Sequence, residues 1–240
     1  MATNPKGPLS NNQIEAIKAL DTPTIANALE ELEIRPRTEG FMRPDIRSIT
    51  PVDGTRVGYA VTGVIGARHR SPDALSKDAY WNAIVQIPEP RMIVLHDLDY
   101  PNPIGSYWGE VQGNTALGFG CVGAVTDGGV RDLKEATEMG FHFWASEVLV
   151  SHAYVHALEF NIPVGIGGVL IRPGDLIAAD MHGAIQIPIS VASDVPKAAK
   201  ILAEREAIVI EAARSGNASP ETMSKAWADA NDSSATQQSY

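Results

Sequence analysis

The sequence predicts an α/β protein. Apolar runs with the length and alternation of strands are interleaved with segments of helical spacing, glycine and proline mark most of the joins, and 44% of the 240 residues are hydrophobic, enough for a substantial core. A single domain over residues 1–240 is expected. Residues 1–9 and 216–240 read as mobile tails, the latter at most partly helical, and no internal repeat or linker interrupts the chain.

Taken in order, Ser10 is placed to cap a helix carrying Ile14, Ile17 and Leu20, and Thr22-Pro23 opens a second with Ile25, Ala28, Leu29 and Leu32 at helical spacing. Over residues 56–65, Val57, Tyr59 and Val61 alternate with other residues, the period of a strand. Residues 76–87 read as a helix with Trp81, Ile84 and Val85 on its buried side and Pro88 as its stop. MIVLHDL, residues 92–98, is a short buried strand, and a loop holding Pro101 and Pro103 leads to Gly109. Residues 111–117 then read as a helix of about two turns. Residues 120–127 form a buried strand, Gly128-Gly129 a turn with unusual backbone angles, and Asp132 begins another helix that Gly140 ends.

FHFWASE, residues 141–147, returns as a strand. Residues 151–160 hold His152 and His156, four apart. On one helix face such a pair resembles half of a metal site, but no H-E-x-x-H and no third ligand accompany it, which suits core or surface histidines. Glycines and Pro173-Gly174 break residues 163–190 into a β meander, and residues 191–215 give a long helix with Val195, Ala198, Ile201, Leu202 and Ile208 as its apolar set.

Charge and composition narrow the function. Nineteen basic against 29 acidic residues give a formal charge of −10 with no basic cluster, so neither nucleic acid nor an anionic membrane is an expected partner. The lone Cys121 sits in an apolar strand and reads as a buried small residue. MATNPKGPLSNNQ lacks the apolar core of a signal peptide, and no run approaches the ~18 apolar residues of a membrane span. A cytoplasmic protein is expected. Gly118-Phe119-Gly120-Cys121-Val122-Gly123 fits G-x-G-x-x-G, but it follows a helix and opens a strand, the reverse of a dinucleotide-binding unit.

The chemistry concentrates in GEVQGNTALGFGCVGAVTDGGVRDLKE, residues 109–135: Glu110, then twenty residues, then Arg131-Asp132. Two readings share one geometry. In the first, Asp132 with Glu135 is a D-x-x-E cap and Glu110 simply complements a helix dipole. In the second, the free amides of Gly109, Glu110, Val111 and Gln112 form a carboxylate pocket, Arg131 grips a carboxylate or keto oxygen, and Asp132 holds a divalent cation. Together these suit a small 2-oxo acid.

This pattern resembles the class II pyruvate aldolases of the 4-hydroxy-4-methyl-2-oxoglutarate and 4-carboxy-4-hydroxy-2-oxoadipate aldolase family, which includes the regulators of ribonuclease E activity. Further matches are Val125-Thr126-Asp127-Gly128, Pro173-Gly174-Asp175-Leu176 and Ala179-Asp180-Met181-His182-Gly183 with Ile187-Pro188. The resemblance implies a swivelling β/β/α domain with flanking N-terminal helices and a long C-terminal helix. It implies Mg2+ or Mn2+ on Asp132, a 2-oxo acid held by Arg131 and the Gly109–Gln112 amides, and Glu110 moving the proton.

The implied activity is a lyase that cleaves a 4-hydroxy-2-oxo di- or tricarboxylic acid to pyruvate through an enolate, with oxaloacetate decarboxylation as a side reaction. Retention of the acid at Glu110 favours this over the alternative, a non-catalytic interaction protein of the ribonuclease E regulator type. Family members assemble as homotrimers or hexamers in which a neighbour's C-terminal acid completes the site. Glu204 and Glu206 are the candidates here, and either could equally be a solvated helix charge. His182 invites comparison with phosphorylatable histidines of similar folds; the reading favoured is a turn residue.

Overall fold

Ser10 accepts a hydrogen bond from the Gln13 amide while the Gln13 side chain takes the Ser10 N–H, a reciprocal cap that starts helix α1 (Asn11–Lys18). Asp21 does the same work for α2 (Thr22–Glu31) through the Thr24 amide. The computed structural model describes residues 9–237, with side chains described to 232. The expectation for residues 1–9 therefore lies, but for Leu9, outside the described residues.

After α2 come strand β1 (Arg47–Ser48), β2 (Arg56–Gly66), α3 (Lys77–Val85), β3 (Arg91–Asp97), β4 (Ser106–Trp108), α4 (Glu110–Gly118), β5 (Cys121–Val130), α5 (Leu133–Met139) and β6 (His142–Val148). The chain continues through β7 (His156–Phe160), β8 (Val164–Ile166), β9 (Val169–Ile171), β10 (Leu176–Asp180), β11 (Gly183–Ile187), α6 (Val195–Arg214) and α7 (Pro220–Gln237).

One mixed sheet runs in the order β1-β6-β5-β3-β2-β10-β11. Its centre, β2, β3, β5 and β6, is parallel, and β10 and β11 are antiparallel additions. Two strands each serve two partners along one edge. β2 carries β10 beside its first residues and β7 beside its last; β5 carries β3 and then β4. Central strands are buried on both faces. Val57, Tyr59, Val61 and Ile65 of β2 point to a core covered by α1, α2, α3 and α6, whereas Ala60 joins Met92, Val94, Val125, Trp144 and Ile177 beneath the separate β8–β9 hairpin. Hairpin, sheet and helices give the expected β/β/α layering.

The structure corrects several local expectations. Gly128-Gly129 is not a turn but lies inside β5, with neither residue at positive φ. These glycines serve close approach: a Cβ on Gly128 would lie 2.6 Å from Asp97 Oδ2, and one on Gly129 would strike the Leu149 side chain. Residues 151–160 form no helix; tight turns lead into β7, so His152 and His156 share no helical face. In α3 the buried face is Tyr80, Ala83 and Ile84, and Val85 is exposed. Within the stretch after Gly216, residues 220–237 form α7, which packs on α6 with Ala226 and Ala230 buried.

Asp180 ties the two ends of the sequence together. Its buried carboxylate accepts from the Thr22 amide and hydroxyl, both at 2.7 Å, and from the His182 amide at 2.8 Å, while its own carbonyl receives the Trp144 indole N–H. His182 is thus a turn residue leaning on Asp180 at 3.2 Å. Asp180→Ala leaves the Thr22 amide unpaired and is expected to lower stability by about 2–4 kcal/mol, read as a lower urea midpoint at unchanged m-value. An unchanged midpoint would show that solvent replaces these bonds at no cost.

Candidate functional site

β5 bends between Thr126 and Gly129, where its register against β6 shifts. Side chains take over backbone bonds at the bend: the Thr126 hydroxyl donates to Leu95 O and accepts from the Gly128 amide, and the Ser146 hydroxyl reaches the Asp127 and Gly128 carbonyls. Beyond the bend β5 runs beside β4, with Trp108 opposite Val130 and the Arg131 amide on Trp108 O at 3.0 Å. Because β4 leads straight through Gly109 into α4, Glu110 and Asp132 become neighbours despite the twenty residues between Glu110 and Arg131.

Asp132 is held at φ 54°, ψ 46°, the left-handed region that a non-glycine residue adopts only under constraint. Its side chain does not cap α5, so the D-x-x-E reading with Glu135 is not realised. Instead Oδ2 accepts the Glu110 amide at 3.0 Å, at the start of α4, and lies 3.6 Å from Arg131 Nε. Gly109 packs against this carboxylate, and a Cβ there would collide with it.

Arg131 and Asp132 line a cleft of about 180 Å³ together with Gly109, Val111 and Gln112, and Ser106, Tyr107, His152 and Val155 complete it. At the first turn of α4 the Val111 and Gln112 amides have no intrahelical acceptor. Burial holds the Tyr107 phenol far above its ordinary range, so it stays un-ionised. Glu110 is exposed and is not among the residues lining the cleft. His152 does line it, a position that sequence spacing did not reveal, because its loop is brought in by β4: Ser106 N donates to Ser151 O at 2.9 Å. Glu204 is exposed on α6, 3.9 Å from Lys200, and Glu206 is exposed as well.

Near this bend is an acidic network hidden in the sequence as part of MIVLHDL. Asp127 accepts from the Asp97 amide at 2.7 Å and from His96 Nδ1 at 2.6 Å, and Asp97 Oδ1 accepts from the Asp99 amide at 2.9 Å. The hydrogen bond to Asp127 raises the His96 pKa. Asp97 is fully buried, its Oδ2 has no hydrogen-bond partner, and burial pushes its carboxyl up to about 6 from 3.8. The folded state therefore holds a proton between those values that the unfolded chain releases. This contribution is complete below about 3.8 and is lost as pH rises through about 6. Asp97→Asn, which keeps the acceptor for Asp99, is expected to gain stability over the parent by on the order of 2 kcal/mol between pH 4 and 8. Thermal unfolding across that range measures the gap, and a pH-independent gap would contradict it.

Residues 22–186 match the RraA-like family, described as Aldolase/RraA. The chain belongs to this family, which embraces both aldolases and inhibitors of ribonuclease E. Protein DlpA of Legionella pneumophila (strain Philadelphia 1) is 28% identical over 180 residues, 74% of this chain and 26% of DlpA. A Halalkalibacterium halodurans protein named "Putative 4-hydroxy-4-methyl-2-oxoglutarate aldolase" is 33% identical over 95 residues, 38% of this chain and 45% of that protein. The chain thus spans about a quarter of the first curated relative and under half of the second.

Among solved structures, an uncharacterized protein from Pseudomonas syringae pv. tomato DC3000 superposes with a TM-score of 0.71 at 26% identity, covering 92% of this chain and 94% of that one. Streptomyces coelicolor RraAS2, an unusual member of the RNase ES inhibitor RraA family, shares the fold with a TM-score of 0.64 at 22% identity, covering 82% and 94%. No helix among the described residues is long and apolar enough to cross a membrane.

Proposed function

We propose that the chain is a divalent-metal-dependent lyase that releases pyruvate from a 4-hydroxy-2-oxo di- or tricarboxylic acid, with oxaloacetate decarboxylation as a side activity. One observation carries this reading: a carboxylate, a guanidinium and the open N-terminal amides of a helix share a cleft the size of a small 2-oxo acid. The relative named as an aldolase supports it.

Among the described residues no group of three or more His, Cys, Asp or Glu side chains could enclose a metal. Asp132 alone still fits a hydrated Mg2+ or Mn2+, because such ions take one or two protein carboxylates and retain water elsewhere, and this carboxylate is 36% exposed. A bound cation would supply Lewis-acid stabilisation of enolate charge. The chain's own residues supply the rest. The Glu110 amide is taken by Asp132, so the open Val111 and Gln112 amides hold the substrate carboxylate, and Arg131 lies against the keto oxygen, where negative charge develops as the C3–C4 bond breaks.

The test is pyruvate release from 4-carboxy-4-hydroxy-2-oxoadipate, 4-hydroxy-4-methyl-2-oxoglutarate and oxaloacetate with Mg2+ or Mn2+. Turnover abolished by chelator and reduced at least ~10²-fold in Asp132→Ala is expected. Folded, metal-loaded protein inert on all three would instead favour an interaction protein on the same scaffold.

Assembly into a trimer or hexamer belongs to the same proposal. Val111, Val148, Val150 and Tyr154 leave exposed apolar surface on the segments around the cleft, which supports burial against another copy. Activity should fall on dilution to monomer, as followed by sedimentation, and a fully active monomer would remove any role for a neighbour's Glu204 or Glu206.

A further inference from the structure

The lyase reading needs a group that takes a proton and gives it back, and Glu110, the residue first expected to do so, lies outside the cleft lining. We infer that His152 is the proton-transfer residue of this cleft. The inference rests on the proposed function and adds to it a second catalytic side chain.

Elimination within the cleft comes first. The Arg131 guanidinium has no acceptor, and the Ser106 hydroxyl is committed to Trp108 O at 2.6 Å. Asp132 is occupied by the Glu110 amide on one side and is the proposed cation ligand on the other. Tyr107 is buried. An imidazole can both accept and return a proton, and His152 is the histidine in the lining.

The ring is also preset for that task. Nδ1 lies 2.8 Å from Ala153 O. A carbonyl only accepts, so Nδ1 carries the hydrogen and the neutral ring keeps its lone pair on Nε2. The surrounding loop fixes the backbone that carries the ring by several independent bonds. Ala153 is held at φ 47°, its amide on Ser151 Oγ at 2.9 Å, and the Val155 amide returns to His152 O at 3.0 Å. Gly105 lets β4 approach so closely that a Cβ there would lie 2.6 Å from His152 O. A loop with a left-handed alanine and an obligatory glycine carries strain that a merely solvated histidine would not require.

In the proposed step with pyruvate, Nε2 removes a methyl proton. The C–H electron pair becomes the enolate double bond, and the carbonyl pair moves onto oxygen beside Arg131. Return of the proton from the imidazolium restores pyruvate. With the larger substrate Nε2 takes the C4 hydroxyl proton as C3–C4 breaks, the O–H pair forming the new C4 carbonyl and the C3–C4 pair the enolate, and return of that proton to C3 releases pyruvate.

Deuterium exchange into the pyruvate methyl group, followed by proton NMR in D2O with Mg2+, isolates this step. His152→Gln should slow exchange about 10²-fold or more, with affinity for oxalate, a planar enolate mimic, kept within about threefold of the parent in calorimetry. His156→Gln, on a histidine outside the lining, should exchange at the parent rate. Free imidazole should restore part of the exchange to His152→Ala. Parent-like exchange in His152→Gln, or an oxalate affinity that falls as far as the exchange rate, overturns the proton-transfer role and leaves the lyase reading standing. A parent protein that neither exchanges nor releases pyruvate defeats the lyase reading, and this inference with it.

Discussion

Strand β5 changes partner halfway along its length, and the candidate site follows from that change. It pairs with β6 along one edge throughout, while along the other edge its first half lies beside β3 and its second half beside β4. The switch requires a bend, the bend leaves backbone groups that Thr126 and Ser146 satisfy, and the redirected strand delivers Arg131-Asp132 to the start of α4. A bond from Asp132 to a backbone amide of another helix closes the arrangement. Sheet topology thereby places two groups that the chain itself keeps far apart.

Much of this was legible in the sequence because it depends on local chemistry. Ser10 with Gln13 announces a reciprocal cap, and Val57, Tyr59 and Val61 announce a strand. What was hidden depends on partners distant in sequence. Gly128-Gly129 reads locally as a turn, yet the pair is required by the side chains of Asp97 and Leu149 lying against β5. His152 gave no periodic signal, since tight turns rather than a helix carry it into the cleft. Asp132 with Glu135 has a capping spacing, but the carboxylate takes the Glu110 amide at the start of α4 rather than a donor in its own helix.

The region around the bend also concentrates local cost. Asp97 is a buried acid lacking a partner on one oxygen, and Asp132 and Ala153 sit in left-handed backbone conformations. Such departures persist only when surrounding packing over-determines them. Here that packing is the apolar core on both faces of β2, β3, β5 and β6. The stable sheet centre thus holds a less comfortable rim in one geometry, the division of labour a preorganised binding cleft needs.

The Thr22–Asp180 bonds span 158 positions of sequence. During synthesis the start of α2 is therefore made long before the carboxylate that will satisfy its first amide and hydroxyl. The β10–β11 hairpin must emerge and dock against β2 before that helix terminus is sealed, so a segment made early is among the last to be secured.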